Sequence, residues 1–399
     1  MRVVIINRSS LKRTLFIESV LKSKHEIIWI VSKKYQNEYE SLFNNVRSIE
    51  DFGSDLLEFE VLKINEEYKI DKIIATNEFD ILKAGKLREK LDLEGQSYAS
   101  SQAFRDKYVM KKLLQDTVKV PRFSKIDDIY ELRDFINSFG YPFVLKPRDG
   151  AGSVGVEILY SENDLIEFIQ KNTLHNLIAE EYIIGDMYHV DGLYKTGNLL
   201  LSQPSKYING CLAFHNQNYL GSYNLIENNP LSIKLNSEVS KSLDKLPTPL
   251  NIIPFHAEFF VTSTGEIIFC EIASRVGGGM IAEEFDHAFN LDLDTESINS
   301  QLNIEIIHNI ERKFLTGFLI VHPNKGKLVS VNKNIPFEWV IDSYIKDDIV
   351  GKIYNEASSS VDAIAMLLVK GENEQELITR INTLYEWFTK VAVVWELEV

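Results

Sequence analysis

The chain has 399 residues, too many for one compact core, and the length suggests roughly two to four domains. Apolar residues make up 45% and charged residues 25%, the balance of a soluble globular protein, and no apolar run reaches the ~18–20 residues of a membrane span. The net charge of −15 argues against nucleic acid, which needs a basic face, but leaves ATP open, since its phosphates need only a local cationic cluster.

Met1-Arg2-Val3-Val4-Ile5-Ile6-Asn7 reads as a short buried strand and not a signal peptide, because no small-residue cleavage site follows. Residues 3–6, 27–31 and 72–75 are predicted strands, and 11–21 and 79–91 predicted helices. This βαβ pattern implies a parallel sheet covered by helices. The first strand–helix turn, Asn7-Arg8-Ser9-Ser10, lacks glycine, so no dinucleotide is assigned there. Residues 101–114 predict a helix carrying Arg105-Asp106-Lys107-Tyr108, and Val120-Pro121 ends that region. A helix over 129–139, a strand over 141–146, a strand near 156–160, a helix over 163–171 and a strand over 177–183 make a small α+β unit. From 187 to about 276 the pattern is mostly β, with hairpin turns at Thr196-Gly197-Asn198 and Ser263-Thr264-Gly265. Helices are predicted over 281–290 and 295–302, strands from 313 onward, a helix near 374–388 and a β-like end over 391–399. Cys211 and Cys270 make neither a disulfide framework nor a metal knuckle, and are expected reduced and inert in a cytoplasmic protein.

The run from Phe143 to Val156 carries the strongest signal. It ends an apolar strand with Lys146 and follows at once with Gly150, Gly152 and Gly155. A loop stripped of side chains lets backbone N–H groups close around an anion, and Lys146 adds a point charge beside them. As a strand-end residue, Lys146 is expected to lie outside the core. The spacing Gly150-x-Gly152-x-x-Gly155 matches the dinucleotide fingerprint, but that turn must open a helix. Here Val156-Glu157-Ile158-Leu159-Tyr160 continues as a strand, and no Gly-Lys-Ser/Thr follows. A flap between two strands, lying over phosphates, is the phosphate-binding reading that remains; an ordinary Gly-rich hairpin is the alternative.

Glu258 and Glu271 each interrupt an apolar strand on either side of the Ser263-Thr264-Gly265 turn. On one face of an antiparallel pair, two carboxylates repel unless a cation bridges them. Oxygen ligands of this kind suit Mg²⁺, which binds one or two carboxylates plus substrate phosphates. Two solvated strand glutamates are the plainer reading. Arg275 and Gly277-Gly278-Gly279-Met280 follow. An arginine there can clamp phosphoryl oxygens, and the glycines allow close backbone approach. Alternatively Arg275 pairs with a surface acid such as Glu283 or Glu284. Glu180-Glu181-Tyr182-Ile183 ends a strand whose free backbone groups suit an adenine edge.

Together these motifs resemble the ATP-grasp superfamily, in the order Arg105-Asp106-Lys107-Tyr108, Lys146 with its flap, Glu180-Glu181-Tyr182-Ile183, Glu258 and Glu271, and Arg275. The resemblance covers roughly residues 1–330, with a tail similar to that of biotin-carboxylase-like members. Through Cys270-Glu271-Ile272-Ala273-Ser274-Arg275-Val276-Gly277-Gly278 it is closest to the bacterial L-amino acid ligases, or dipeptide synthetases. It implies an α/β and α+β multidomain ATP-grasp fold. Its expected parts are an N-terminal α/β domain (1–105), a lid (106–186), a central antiparallel catalytic subdomain (187–312) and a C-terminal subdomain (313–399). It also implies ATP and Mg²⁺ as cofactors. Lys107 and Lys146 would contact phosphates, and Gly152, Ser153 and Val154 would cover them. Glu180 would take the adenine amino group, beside Glu181, with backbone contacts from Tyr182 and Ile183. Glu258 and Glu271 would hold the metal, and Arg275 and Lys146 would serve catalysis.

Two departures from the family pattern stand out. Ala273 occupies the position where many members have a metal-binding Asn, and Met187 falls near the usual ribose-binding acid. His189 and Asp191 share the strand face of Met187 by period two, and either is a candidate substitute. For His189, His215 and His256 a structural role is favoured over a catalytic one, because phosphoryl transfer needs positioning and charge neutralisation more than a base. Lys206 is either a substrate-carboxylate ligand or a surface lysine. The reading that follows is an ATP-dependent carboxylate–amine ligase on amino acids, forming an acyl phosphate. Its partners are small molecules, with no nucleic acid or membrane and with a homodimer admitted as the assembly. The rivals are a carboxylase-type or purine-pathway ATP-grasp enzyme and an ATP-binding regulatory protein without chemistry.

Overall fold

The computed structural model describes residues 1–213, 219–305, 310–355 and 357–396. Among these, the strands form four sheets. His215 lies outside the described residues.

The first sheet holds β1 (Arg2–Asn7), β2 (Glu26–Ser32), β3 (Val46–Ile49) and β4 (Lys72–Ala75), all parallel in the order β3-β2-β1-β4. Parallel strands are covered on both faces, which is why β1 is a continuous apolar run. Val4 and Ile6 pack under the helices Leu56–Tyr68 and Ile81–Leu91. Val3 and Ile5 face Trp29 and the Ile298 and Leu302 side chains of the helix Leu293–Leu302. The predicted helix over 11–21 is broken into a turn at Leu11–Arg13 and a helix Ile17–Lys22. Thr14 lies at the break. Its hydroxyl donates to the Ser10 carbonyl at 3.0 Å and accepts from Asn7 at 2.8 Å, bonds that compete with helix continuation.

The helix predicted over 101–114 is likewise two, Tyr98–Ala103 and Lys107–Leu114. Asp106 caps the second by accepting from the Tyr108 and Val109 amides, so the chain must leave helical geometry before it. The second sheet follows: β5 (Phe123–Ile126), β6 (Phe143–Pro147), β7 (Glu157–Leu159) and β8 (Leu177–Glu181), in the order β5-β8-β6-β7 and all antiparallel. The helices Ile129–Phe139, capped by Asp128, and Glu162–Lys171, capped by Ser161 in a capping box with Asp164, bury Leu132, Phe135 and Leu165 against it.

The largest sheet is built from β9 (Asp186–Lys195), β10 (Asn198–Ile208), β11 (Leu220–Asn224), β12 (Ile253–Val261), β13 (Ile267–Ala273) and β14 (Leu315–Val321). Beyond it come β15 (Gly326–Val331), β16 (Val340–Ile345), β17 (Ile353–Tyr354), β18 (Ala365–Gly371) and β19 (Val393–Glu396). The order β13-β12-β9-β10-β11-β14-β18-β16 runs strands from before and after residue 313 into one sheet. β14 pairs with β11 through Ile320↔Leu220, so the C-terminal strands extend the central sheet, and only β17-β15-β19 stands apart. The helix Pro230–Lys245, inside the stretch read as mostly β, is a correction. Asn229 caps it, Pro230 opens it, and Leu235, Val239 and Leu243 bury one stripe against the face of Tyr188, Val190 and Tyr194. The opposite face is covered by the helices Ile281–Phe289 and Leu293–Leu302. No helix among the described residues is long and apolar enough to cross a membrane.

Candidate active site

The loop between β6 and β7 joins two antiparallel strands, with Phe143 opposite Leu159. Gly152 and Gly155 adopt positive φ, and Ser153 between them does too, at 60°. Only a glycine-rich loop tolerates three such residues in four positions. The tip touches the C-terminal part of the chain: the Ser360 amide donates to the Gly152 carbonyl at 3.2 Å. Val154 is exposed.

Behind the loop lies a buried chain of alternating charges. Lys146 Nζ is 3.1 Å from one oxygen of Glu180, and Lys111 Nζ is 2.9 Å from the other. Burial pushes the Glu180 carboxyl up, but the two ammonium groups outweigh it and hold the acid ionised. Burial likewise opposes the charge on Lys146, and Glu180 raises its pKa in spite of that. Lys146 is thus a core residue, contrary to the strand-end expectation. Lys107 Nζ donates to the Gly150 carbonyl at 2.8 Å and lies 3.1 Å from Glu271. The Glu180 side chain, read as an adenine contact, is committed to two lysines. Beyond it, Glu181 pairs with Arg122 at 3.0 Å, the Tyr182 ring meets Tyr160 edge-on, and Ile183 lies past the end of β8.

Glu258 of β12 and Glu271 of β13 are direct register partners on one face. The register slips beside them, so Cys270 is an extra residue opposite β12. Such a bulge re-aims side chains, and it brings the Cys270 sulfur and both carboxylates within 4.8 Å of one another. Burial pushes the Cys270 thiol up to about 12, so it stays protonated beside the acids. Glu258 accepts from the Tyr207 hydroxyl at 3.1 Å and from the Cys211 thiol at 3.5 Å. Against burial, Lys107 and Lys146 hold the Glu271 carboxyl down at about 2. Two partly exposed carboxylates on one face beside Lys107 fit the donor set of a hard divalent cation such as Mg²⁺.

Ala273 sits opposite His256 in the register, and its methyl group offers no metal ligand. His256 instead joins a buried triad. Its Nδ1 is 2.8 Å from one oxygen of Asp191, and His189 Nδ1 is 2.5 Å from the other. His189 Nε2 bonds Ser222 at 2.6 Å. Burial opposes charge on both partners, yet mutual attraction raises His256 to about 10 and lowers Asp191 to about 2. This corrects the reading of His189, and with it Asp191, as ribose contacts: both are fully buried and their polar atoms are taken up by each other, Ser222 and His256. Gly277 packs on the triad. A Cβ there would come within 2.7 Å of Asp191 and 2.8 Å of His256.

Arg275 pairs through Nε with Glu78, and its Nη1 donates to the Val276 carbonyl at 2.8 Å. It meets neither Glu283 nor Glu284; the latter is buried beside Asn224. Lys206 registers with Tyr188 and pairs with Asp186 at 2.7 Å. That is the sheet face opposite Glu258, which removes Lys206 as a substrate ligand. Glu78, Lys111 and Tyr207 were not singled out by sequence. The signal for Glu78 was its place just past β4, since ligands of open parallel sheets gather at the carboxyl ends of the strands.

The described ATP-grasp domain family matches residues 139–284. The chain is 29% identical over 258 residues to the L-arginine-specific L-amino acid ligase of Bacillus subtilis, covering 61% of this chain and 60% of that protein. It is 33% identical over 96 residues to D-alanine–D-alanine ligase A of Bacillus cereus, covering 23% and 32%. It therefore spans less than two thirds of the length of these curated relatives. The crystal structure of an L-amino acid ligase from Bacillus licheniformis superposes with a TM-score of 0.77 at 16% identity, over 99% of this chain and 98% of that one.

Proposed function

We propose that this chain, whose residues 139–284 match the ATP-grasp domain family, is an ATP-dependent, ADP-forming carboxylate–amine ligase acting on amino acids. The observation that supports this best is the gathering of Lys107, Glu258, Glu271 and the glycine loop at one place, with Lys146 buried behind the loop. The likeness to an L-amino acid ligase along most of the chain supports the same reading.

In this reading the glycine loop and Lys107 cradle the phosphates of ATP, and Lys146 contributes positive charge from behind. A bound Mg²⁺, held by Glu258 and Glu271, would neutralise charge on the transferred phosphoryl group. The substrate carboxylate oxygen forms a bond to the γ-phosphorus, and the bond to the bridging oxygen breaks, releasing ADP. The amine nitrogen then attacks the acyl carbon, inorganic phosphate leaves, and the amine loses a proton. Arg275 steadies the oxygens that carry charge in both steps. Residues 106–186 act as a lid that excludes water from the acyl phosphate.

The test is a screen of amino acids, singly and in pairs, for ADP release with purified protein. Release that depends on an amino acid pair supports the ligase. Dependence on bicarbonate overturns it in favour of a carboxylase, and ATP binding without turnover in favour of a sensor.

A further inference from the structure

Glu78 lies in the short segment after β4, at the carboxyl end of the N-terminal sheet, and is buried. Each of its oxygens meets a different arginine. Oε1 accepts from Arg105 Nη1 and Oε2 from Arg275 Nε. Arg105 goes on to donate through Nη2 to the Asp149 carbonyl, at the entrance to the glycine loop. One carboxylate therefore ties three separate pieces together: the N-terminal sheet, the phosphate-facing loop and the turn after Glu271.

The pairing also sets how Arg275 can be used. With Nε on Glu78 and Nη1 on the Val276 carbonyl, the guanidinium is held at two of its three nitrogens. Among the described residues Nη2 has no partner, so that corner of the fork is left for an oxyanion. Two guanidinium groups against one carboxylate leave the cluster with a net positive charge, which suits a phosphoryl group or substrate carboxylate. Burial opposes ionisation of Glu78, but Arg275 and Arg105 more than offset it and keep the acid charged.

We propose that Glu78 is a positioning residue for phosphoryl transfer, holding Arg275 in the orientation that meets the reacting oxygens and carrying the N-terminal sheet into the site. This rests on the ligase reading. A purely structural carboxylate between domains would change stability and leave the rate per folded molecule alone. A positioning residue changes kcat while ATP still binds.

The experiment is a double-mutant cycle on the full chain, comparing wild type, Glu78→Gln, Arg275→Lys and the double variant for amino-acid-dependent ADP release, KM for ATP and thermal unfolding. Glu78→Gln is expected to lower kcat on the order of 10–100-fold, the cost of a small misplacement, with KM for ATP within about threefold. Its effect should vanish in the Arg275→Lys background, because both substitutions remove the same interaction. Where Glu78→Gln does not fold, Glu78→Asp keeps the charge but falls short of reaching both arginines, and the same cycle is read with it. Full kcat in a folded Glu78 variant, or losses that simply add, overturns the proposal. An inactive wild type instead overturns the ligase reading on which it stands.

Discussion

Glu258 and Glu271 oppose each other across β12 and β13, with a bulge at Cys270 turning the second strand toward the first. Two like charges at this spacing are destabilising unless something cationic answers them. Lys107 answers Glu271 at 3.1 Å, while among the described residues Glu258 receives the Tyr207 hydroxyl, the Cys211 thiol and, at 3.5 Å, His256, which Asp191 and Glu258 hold charged against burial. The close lysine pair of Glu271 and the longer, shared histidine contact of Glu258 yield distinct expectations for the two members.

Glu258→Gln and Glu271→Gln should both abolish metal-dependent turnover. They should differ in stability. Glu271→Gln strips a buried lysine of its counter-charge and should cost about 1–3 kcal/mol, whereas Glu258→Gln should stay within about 1 kcal/mol of wild type. Mg²⁺ titration of the ADP-bound protein by calorimetry, with urea unfolding alongside, checks both. Undiminished Mg²⁺ affinity in either variant would remove that residue from the metal site.

Lys146→Ala should weaken ATP binding and also lower stability, because Lys146 is buried against Glu180. Lys111 remains to neutralise that acid. The loss should therefore be about 1–3 kcal/mol, less than the ~3–5 kcal/mol of leaving a buried charge wholly unpaired. Calorimetric ATP titration and urea unfolding of the variant test this. An unchanged ATP affinity would end the phosphate role.

Arg275→Lys should separate binding from rate. A lysine supplies charge but cannot hold Glu78, Val276 and an oxyanion at once. ATP affinity should stay within a few-fold, and single-turnover ADP formation should fall on the order of 10²–10³. An equal drop in affinity and rate would reduce Arg275 to a binding contact.

The triad predicts a pH dependence of stability in metal-free protein. His256 has its pKa raised from 6.5 to about 10 in the folded state, so its contribution is complete below 6.5 and is lost as pH rises through about 10. Asp191, lowered from 3.8 to about 2, contributes fully above 3.8 and loses this as pH falls through about 2. Both contributions are complete between these limits. Urea unfolding in chelator from pH 6 to 10 should show wild type losing more stability than His256→Gln. Parallel curves for the two proteins would contradict the assignment.

Much of the architecture was readable along the chain, because its signals are local. The apolar run Val3–Val4–Ile5–Ile6 marks a strand buried on both faces, Asp128 starts the helix Ile129–Phe139 where expected, and Gly265 makes the turn that brings β12 back to β13. The glycine loop was legible for the same reason: three glycines after a strand-end lysine need no distant partner to be recognised. The helix Pro230–Lys245 carried its own signal in Asn229-Pro230 and the spacing of Leu235, Val239 and Leu243, but the β pattern around it masked that signal. The site's charge network was a different matter. Arg275 and Glu78 are 197 residues apart, and Lys111 reaches the Cys270 carbonyl across 159. Period two put His189 on the face of Met187, yet that face is open at one point and sealed by the helices Ile281–Phe289 and Leu293–Leu302 at another. Periodicity and capping are set by neighbouring residues and survive in the bare sequence. Burial, and with it which charges must find each other, is decided only when distant segments pack and water is excluded between them.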